Sequence, residues 1–342
     1  MKKKIVIGLF LFILLVGLTG CGSSDTKKTS SNSDTTSYSS KLSTEELFTE
    51  RDLEQTADTT NAKTYIVSNS EDITITEEGV YIITGNANNV SIIINTDDES
   101  KVQLVLENLT ITNETEPCIY VKNADKVFFT TTGTNNLSVT GTFTTDGTTN
   151  LDAVIFSKDD LVINGTGTLN ISSTDNGITS KDDLKITGGT ITIKCTNDGI
   201  EANNSIAIKD ADITINSKKD GIHAEYDDDE TVGYIYIVGG TINITASDDA
   251  INAGAKSSAF TPTIEINNGY ITINMGQGDT DAVDSNGNII MNGGTLDITA
   301  QSPFDYDRTA KYNGGIIIVN GEETNKITNQ MMGNQMNQGG RR

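Results

Sequence analysis

The 342-residue chain has no tryptophan, three prolines, three cysteines and a single histidine, His223. Each shortage excludes something. One histidine rules out a multi-histidine zinc site built from this chain. Arginine occurs only at Arg51, Arg308, Arg341 and Arg342, none of them in the repeats at 174–246. Besides Cys21 there are only Cys118 and Cys195, about three coils apart by the repeat alignment, or roughly 14 Å at one strand spacing per coil. A disulfide needs Cα atoms within about 7 Å, so two buried free thiols are expected. Basic residues are few, 24 Lys and Arg against 47 Asp and Glu, for a formal net charge of −23. That balance argues against nucleic acid and anionic lipid as partners. It suits cations, or a polyanion reached through bridging cations.

What is present is a repeat. TDNGITSKDDLKITGGTITIKC (174–195) and TNDGIEANNSIAIKDADITINS (196–217) are each 22 residues long, and KKDGIHAEYDDDETVGYIYIVGGTINITA (218–246) keeps the pattern with seven residues added after Ala224. A period in the low twenties is the mark of a solenoid with one coil per unit. Each unit holds three short segments of alternating apolar and polar residues, the pattern of half-buried strands. In the first unit Ile178 and Ser180 share a face of strand A, Leu184 and Ile186 a face of strand B, and Ile191 and Ile193 a face of strand C. Gly188 and Gly189 supply the bend between B and C. No amphipathic helix pattern appears in these units. The reading is all-β, a right-handed parallel β-helix, regular from Thr149 to about Val319 and irregular but recognisable from Glu45 to Gly141.

The chain opens with Lys2, Lys3 and Lys4, then an apolar run from Ile5 to Val16. This reads as a signal peptide over 1–20 rather than a spanning helix. Leu18-Thr19-Gly20-Cys21 looks like a bacterial lipobox, which implies cleavage before Cys21 and a lipid on its sulfur; the alternative is an ordinary cleavage site beside a chance cysteine. Removing the three leader lysines takes the charge from −23 to −26. Residues 21–44 are a Ser/Thr-rich tether reaching on the order of 25 Å. The expected address is the outer face of a cytoplasmic membrane of Gram-positive type, and the protein is expected to be a monomer. The β-helix domain is expected over 45–322, with 45–67 a polar lead-in capping the first coil and 323–342 a disordered Asn/Gln/Met/Gly tail.

Aligned coils place a small residue at one slot of strand A: Ala153, Gly177, Gly199, Gly221, Ala250 and Ala282. Just before it stands a column of Asp152, Asn176, Asp198, Asp220, Asp249 and Asp281. These side chains either cap neighbouring backbone amides in turns or ligate metal, since stacked carboxylates repel unless a donor or cation intervenes. Two residues after the slot, facing outward, come Ile155, Thr179, Glu201, His223, Asn252 and Asp284. The polar part is either a solvated face or a ligand and Ca²⁺ surface, hard oxygen donors being suited to calcium. Insertions after Ala224, with Asp227 in an acidic run, and at Gly254–Thr263 both fall between A and B, beside this ladder. Tyr226, Tyr234, Tyr236 and Tyr270 are either stacking platforms for sugar rings or cross-strand packing partners.

The lead-in ERDLEQTADTTNA, then ITITEEGVYIITG, VQLVLENLTITN, CIYVKNADKVFFTTTGTNNLSV, NGITSKDDLKITGGTITI and DGIHAEYDDDETVGYIYIVGGTINITASDDAINA, resemble in order the carbohydrate-binding domain family of clostridial-type surface lipoproteins. The resemblance runs from about Glu50 to Gly315 and implies a pectate-lyase-like β-helix. It also implies binding of plant cell-wall polysaccharide, cellulosic and acidic pectic, with bound calcium. Asp182, Asp183, Asp198, Asp220 and Asp249 are the matching acidic positions.

Two other classes stay open. A β-helix lyase needs a basic residue to take the C5 proton of a uronate while calcium neutralises the carboxylate. No arginine is placed for that, which leaves Lys181, Lys218 or Lys219. A hydrolase could use the Asp-Asp pairs at 159–160, 182–183 and 248–249, but the Gly-His-Gly and Arg-x-Lys elements of polygalacturonases are missing. A structural surface protein or adhesin is the third reading. The non-catalytic polysaccharide binder is preferred.

Overall fold

The computed structural model describes residues 44–226, 234–256, 261–276 and 280–329. The leader, Cys21 and the tether, Asp227 and the chain from residue 330 lie outside these residues, as does the side chain of Tyr226.

The 22-residue units fold as the alternation predicts. Asn176–Ser180, Leu184–Ile186 and Thr190–Lys194 are strands A, B and C of one coil, and Ile200–Ala202, Ser205–Ile208 and Asp212–Asn216 those of the next. Each strand pairs in parallel with its counterpart one coil on. The A strands make a ten-stranded parallel sheet. The B and C strands merge into a second sheet, because four coils run B into C as one strand: Gly79–Asn88, Lys101–Asn113, Tyr234–Ala246 and Thr263–Met275. The chain is a parallel β-helix.

Inside, like stacks on like. Ile178, Ile200, Ile222, Ile251 and Val283 succeed one another in register on the A wall, all fully buried. Leu161, Leu184, Ile206, Ile235 and Ile264 do the same on B, and Leu169, Ile191, Ile213, Ile242, Ile271 and Leu296 on C. Each such side chain stabilises the fold by about 1.5–3 kcal/mol relative to exposure. The B–C bend needs a left-handed residue, met by Gly189 at φ +85 and Gly240 at φ +94. In the coil between them Asp210 takes that conformation instead, at φ +55, a role its short polar side chain permits. Strand A's small slot is also physical: a Cβ on Gly199 would lie 2.6 Å from the carbonyl oxygen of Gly221 in the next coil. Cys118 and Cys195 are free and buried as expected, and burial pushes both thiols up to about 12.

Three expectations are corrected. First, the register between Ala153–Ser157 and Asn176–Ser180 pairs Ile155 with Ile178 and Phe156 with Thr179, so Ile155 faces the core and Phe156 belongs to the outward column. Second, the helical part of the lead-in does not cap the first coil. Leu47 and Phe48 pack on Ala207 and Tyr236, several coils along, and the Arg51 guanidinium lies 4.2 Å from the Phe128 ring centroid. Fully buried Asp52 takes Lys185 at 3.0 Å and Lys126 at 3.8 Å, while Gln55 binds Thr187 O and Gly165 N. Residues 44–55 are therefore a strap along the outside of the B strands. Third, order continues past 322. Glu322–Thr324 pairs antiparallel with Ile316–Val319, Ile327 packs on the core, and Asn329 Nδ2 donates to Tyr306 O.

Candidate functional site

The outward column of strand A is the place where the repeat's polar content changes from coil to coil. Register carries it from Tyr120 through Phe156, Thr179, Glu201, His223, Asn252 and Asp284 to Asp305. Its first part is apolar and covered: Tyr120 and Phe156 pack edge to face with Leu151 and Ala153. The polar part begins at Thr179. Four predicted residues, Glu201, His223, Asn252 and Asp284, are adjacent as expected, and Asp305 extends them.

From Asn176 to Asp249 the Asp/Asn column beside it does what turn chemistry predicts, with one oxygen each; Asp152 does not join, its Oδ1 being buried without a partner and its carboxyl raised to about 6 by burial. The backbone N–H of Asp198 donates to Asn176 Oδ1 at 2.9 Å. Those of Asp220, Asp249 and Asp281 donate to the Oδ1 of Asp198, Asp220 and Asp249, each at 3.0 Å. This is a ladder of side-chain-to-backbone bonds along the axis. The second oxygen turns toward the outward column. Asp198 Oδ2 meets Lys219 Nζ at 3.2 Å and His223 Nδ1 at 3.4 Å, and Asp249 Oδ2 accepts from Asn252 Nδ2 at 2.9 Å. Glu201 Oε2 accepts from Asn176 Nδ2 at 2.7 Å, and its Oε1 lies 3.3 Å from Lys181 Nζ. Asp281 Oδ1 accepts from Ser302 Oγ.

Electrostatics divides the column in two. At Asp198 burial alone would raise the pKa, but His223, Lys219 and the Asp220 N–H outweigh it and hold the carboxyl low. Burial works to lower His223, yet Asp198 and Asp220 push it above its ordinary value. Lys219 behaves likewise: burial opposes its charge, and Asp198 and Asp220 more than compensate. Further along, compensation fails. Burial, with Asp198 adding its like charge, raises Asp220 to about 6. Burial and the neighbouring carboxylates raise Asp249 to about 7, and Asp284 also to about 7 with Asp249, Asp305 and Asp281 around it. Asp305 Oδ1 is buried without a hydrogen-bond partner.

Among the described residues, three groups bring possible metal-ligating atoms within 4.8 Å of one another: Asp198, Asp220 and His223; Asp220, Asp248 and Asp249; and Asp160, Asp182 and Asp183. The predicted metal set is thus split. Asp182 and Asp183 sit on the A–B turn, above Asp159 and Asp160 of the preceding coil, and burial raises Asp159 and Asp182 to about 6. Asn204 Nδ2 donates to Asp182 Oδ1, and Ser205 Oγ to Asp183 Oδ1 at 2.6 Å. Asp160 and Asp248 were not among the expected ligands, although each belongs to an Asp-Asp pair visible in the sequence.

The tyrosines do not gather. Tyr236 is 2 % exposed, its ring 5.4 Å from that of Tyr234 and covered by Leu47 and Phe48. It is a packing residue under the strap, so its expected role as a sugar platform is withdrawn. Tyr270 is 48 % exposed but lies in column C. Lys181 and Lys219, candidate lyase bases, are engaged by Glu201 and Asp198, and a raised Lys219 is the opposite of what a general base needs.

The model of the family described as "Carbohydrate-binding domain-containing protein" matches residues 69–317. A carbohydrate-binding domain-containing protein of Acetivibrio thermocellus is 42% identical over 212 residues, 60% of this chain and 71% of the relative. Among solved structures, a polysaccharide lyase-like protein from C. thermocellum, in a gadolinium derivative, superposes with a TM-score of 0.59 at 28% identity. That match covers 75% of this chain and 96% of the other.

Proposed function

The chain belongs to the carbohydrate-binding domain-containing protein family, and from that premise we propose that it is a non-catalytic binder of acidic plant cell-wall polysaccharide, held at the cell surface through a lipid on Cys21. Its acidic A-column face meets uronate carboxylates through shared Ca²⁺. The observation that carries this reading is two adjoining acidic rows, Asp220, Asp249 and Asp281 joined by their side-chain-to-backbone ladder and Asp284 and Asp305 in register one coil apart, with Asp220, Asp249 and Asp284 raised by burial. Two acidic surfaces repel, so such a face binds an acidic polymer only with cations between them.

The donor sets fit calcium unequally. Asp160, Asp182 and Asp183, and likewise Asp220, Asp248 and Asp249, offer carboxylate oxygens alone, raised in pKa where burial is felt, which favours a hard cation. The group of Asp198, Asp220 and His223 fits poorly, because Asp198 is already neutralised by Lys219 and His223. Calcium would supply charge neutralisation and open positions for sugar oxygens; Glu201, Asn252 and Asp284 would orient the chain beside it. The engaged state of Lys181 and Lys219 supports binding over lyase chemistry.

Retention on immobilised polygalacturonate tests this. It should fall with a chelator and return with Ca²⁺, and ultraviolet absorbance should show no accumulating unsaturated uronate. Retention indifferent to chelation would remove the bridging mechanism, and sustained product formation would overturn the non-catalytic reading.

A further inference from the structure

The chain's single histidine sits where three metal-ligating atoms converge. His223 Nδ1 lies 3.4 Å from Asp198 Oδ2 and 3.6 Å from Asp220 Oδ2. The other carboxylate oxygens are already committed. Asp198 Oδ1 accepts from Asp220 N and Asp220 Oδ1 from Asp249 N, each at 3.0 Å. Both bonds come from the backbone of the following coil, so they hold the two carboxylates in fixed directions. The imidazole is placed by the sheet as well, with His223 in register between Glu201 and Asn252. The Asp220 side chain is 3 % exposed, yet its Oδ2 is poorly served. Asn252 Nδ2 stands at 3.5 Å and His223 Nδ1 at 3.6 Å, the far limit of a hydrogen bond or beyond it. Around a tetrahedral ion with bonds of about 2.0–2.2 Å, ligand atoms stand about 3.3–3.6 Å apart. The two nitrogen-to-oxygen separations here match that spacing. One cation already contests the place: Lys219 Nζ lies 3.2 Å from Asp198 Oδ2. Its side chain is 42 % exposed, and this is its one ion pair among the described residues. The flexible four-carbon stem lets the ammonium turn outward into solvent.

We propose that Asp198, Asp220 and His223 form a site for a borderline divalent metal, zinc being its simplest case, different in kind from the groups made of carboxylates alone. An imidazole nitrogen suits zinc, nickel and copper, whereas calcium takes oxygen ligands. The same nitrogen that makes this group a poor calcium site makes it a selective one for the softer ion. Metal entry is an exchange. The ion takes the Nδ1 lone pair, any proton there leaves to solvent, and Lys219 gives up Asp198 Oδ2. Two carboxylates then neutralise the charge of the ion, and its outward side stays open to water. The column sorts cations by coil: the coil with the histidine holds the borderline metal, and the coil with Asp248 and Asp249 the hard one. The site goes beyond the polysaccharide reading, because it needs no sugar and is read without one.

The test is a calorimetric titration of the full-length protein with Zn²⁺ at pH 8, in a large excess of Ca²⁺. Two variants accompany the wild type, and their thermal midpoints establish folding. His223→Asn removes the nitrogen ligand and installs the residue that the next coil carries in register, Asn252. Lys219→Met removes the competing ammonium and keeps an unbranched stem. The wild type should bind Zn²⁺ at this site despite the calcium. His223→Asn should weaken that binding by more than the ~10–100-fold that disturbing an outer-shell partner costs. Lys219→Met should tighten it about threefold or more, as release of an ion pair allows. Co²⁺ gives a second readout, a visible absorption of the low-coordinate ion that His223→Asn loses. Zinc that calcium displaces, or zinc binding equal in wild type and His223→Asn, overturns the proposal. So does a folded Lys219→Met variant that binds zinc more weakly than wild type, since Lys219 would then support the site rather than compete for it.

Discussion

Asp249 and Asp284 are raised by burial first and by their carboxylate neighbours second, each to about 7. A carboxyl whose pKa is higher folded than unfolded makes the native state bind extra protons, so stability falls as pH climbs from the ordinary aspartate range through 7. His223, also raised, loses its share over the same direction of change. The thermal midpoint should therefore rise on going from pH 8 to pH 5, until protonation of lowered groups such as Asp198 reverses it at more acid pH. Calcium should raise the midpoint at pH 8 and do little at pH 5. Asp284→Asn should gain stability at pH 8, and Asp249→Asn should reduce the calcium response, both read by calorimetry. Equal calcium effects at the two pH values would show that these carboxylates do not hold the ion. The sequence showed which residues line the column but not their charge state, because that depends on Lys219 and Lys181 reaching across from neighbouring turns.

At the scale of the element, strands were legible because one repeat writes three alternating segments and stacks like on like. The column register was legible too, apart from one coil, where Asp152, Ala153 and Ile155 were aligned a residue away from the pairing that puts Phe156 outward. The strap was not legible. Its partners, Lys126, Lys185, Gln103 and Tyr236, are far from it in sequence, and no local pattern announces a buried Asp52. Asp52→Ala leaves two lysines without their shared anion and should cost about 3–5 kcal/mol, with hydrogen exchange rising over residues 44–55 first. At the B–C bend, Gly240→Ala places a methyl against the carbonyl oxygen of Ala211 at φ +94, and should cost about 1–3 kcal/mol in denaturant unfolding. An unchanged midpoint would mean that the bend relaxes freely.

For the molecule as a whole, the parallel β-helix and membership of a carbohydrate-binding family are where residue pattern, structure and similarity agree. The expected metal residues resolve into separate groups on the A–B turn and the A column, and the expected tyrosines scatter to a buried strap contact and an exposed opposite column. Spacing along a chain fixes the coil, while side-chain direction and long-range partners decide which acids meet. The central claim is that the acidic column and an acidic polymer share their cations. Shared binding is reciprocal, so the most direct measurement is a calorimetric Ca²⁺ titration with and without saturating oligogalacturonate at neutral pH. The account predicts that oligogalacturonate tightens Ca²⁺ binding and that Ca²⁺ tightens oligogalacturonate binding by the same factor, with both effects reduced in Asp249→Asn. Calcium affinity unchanged by the sugar would contradict it.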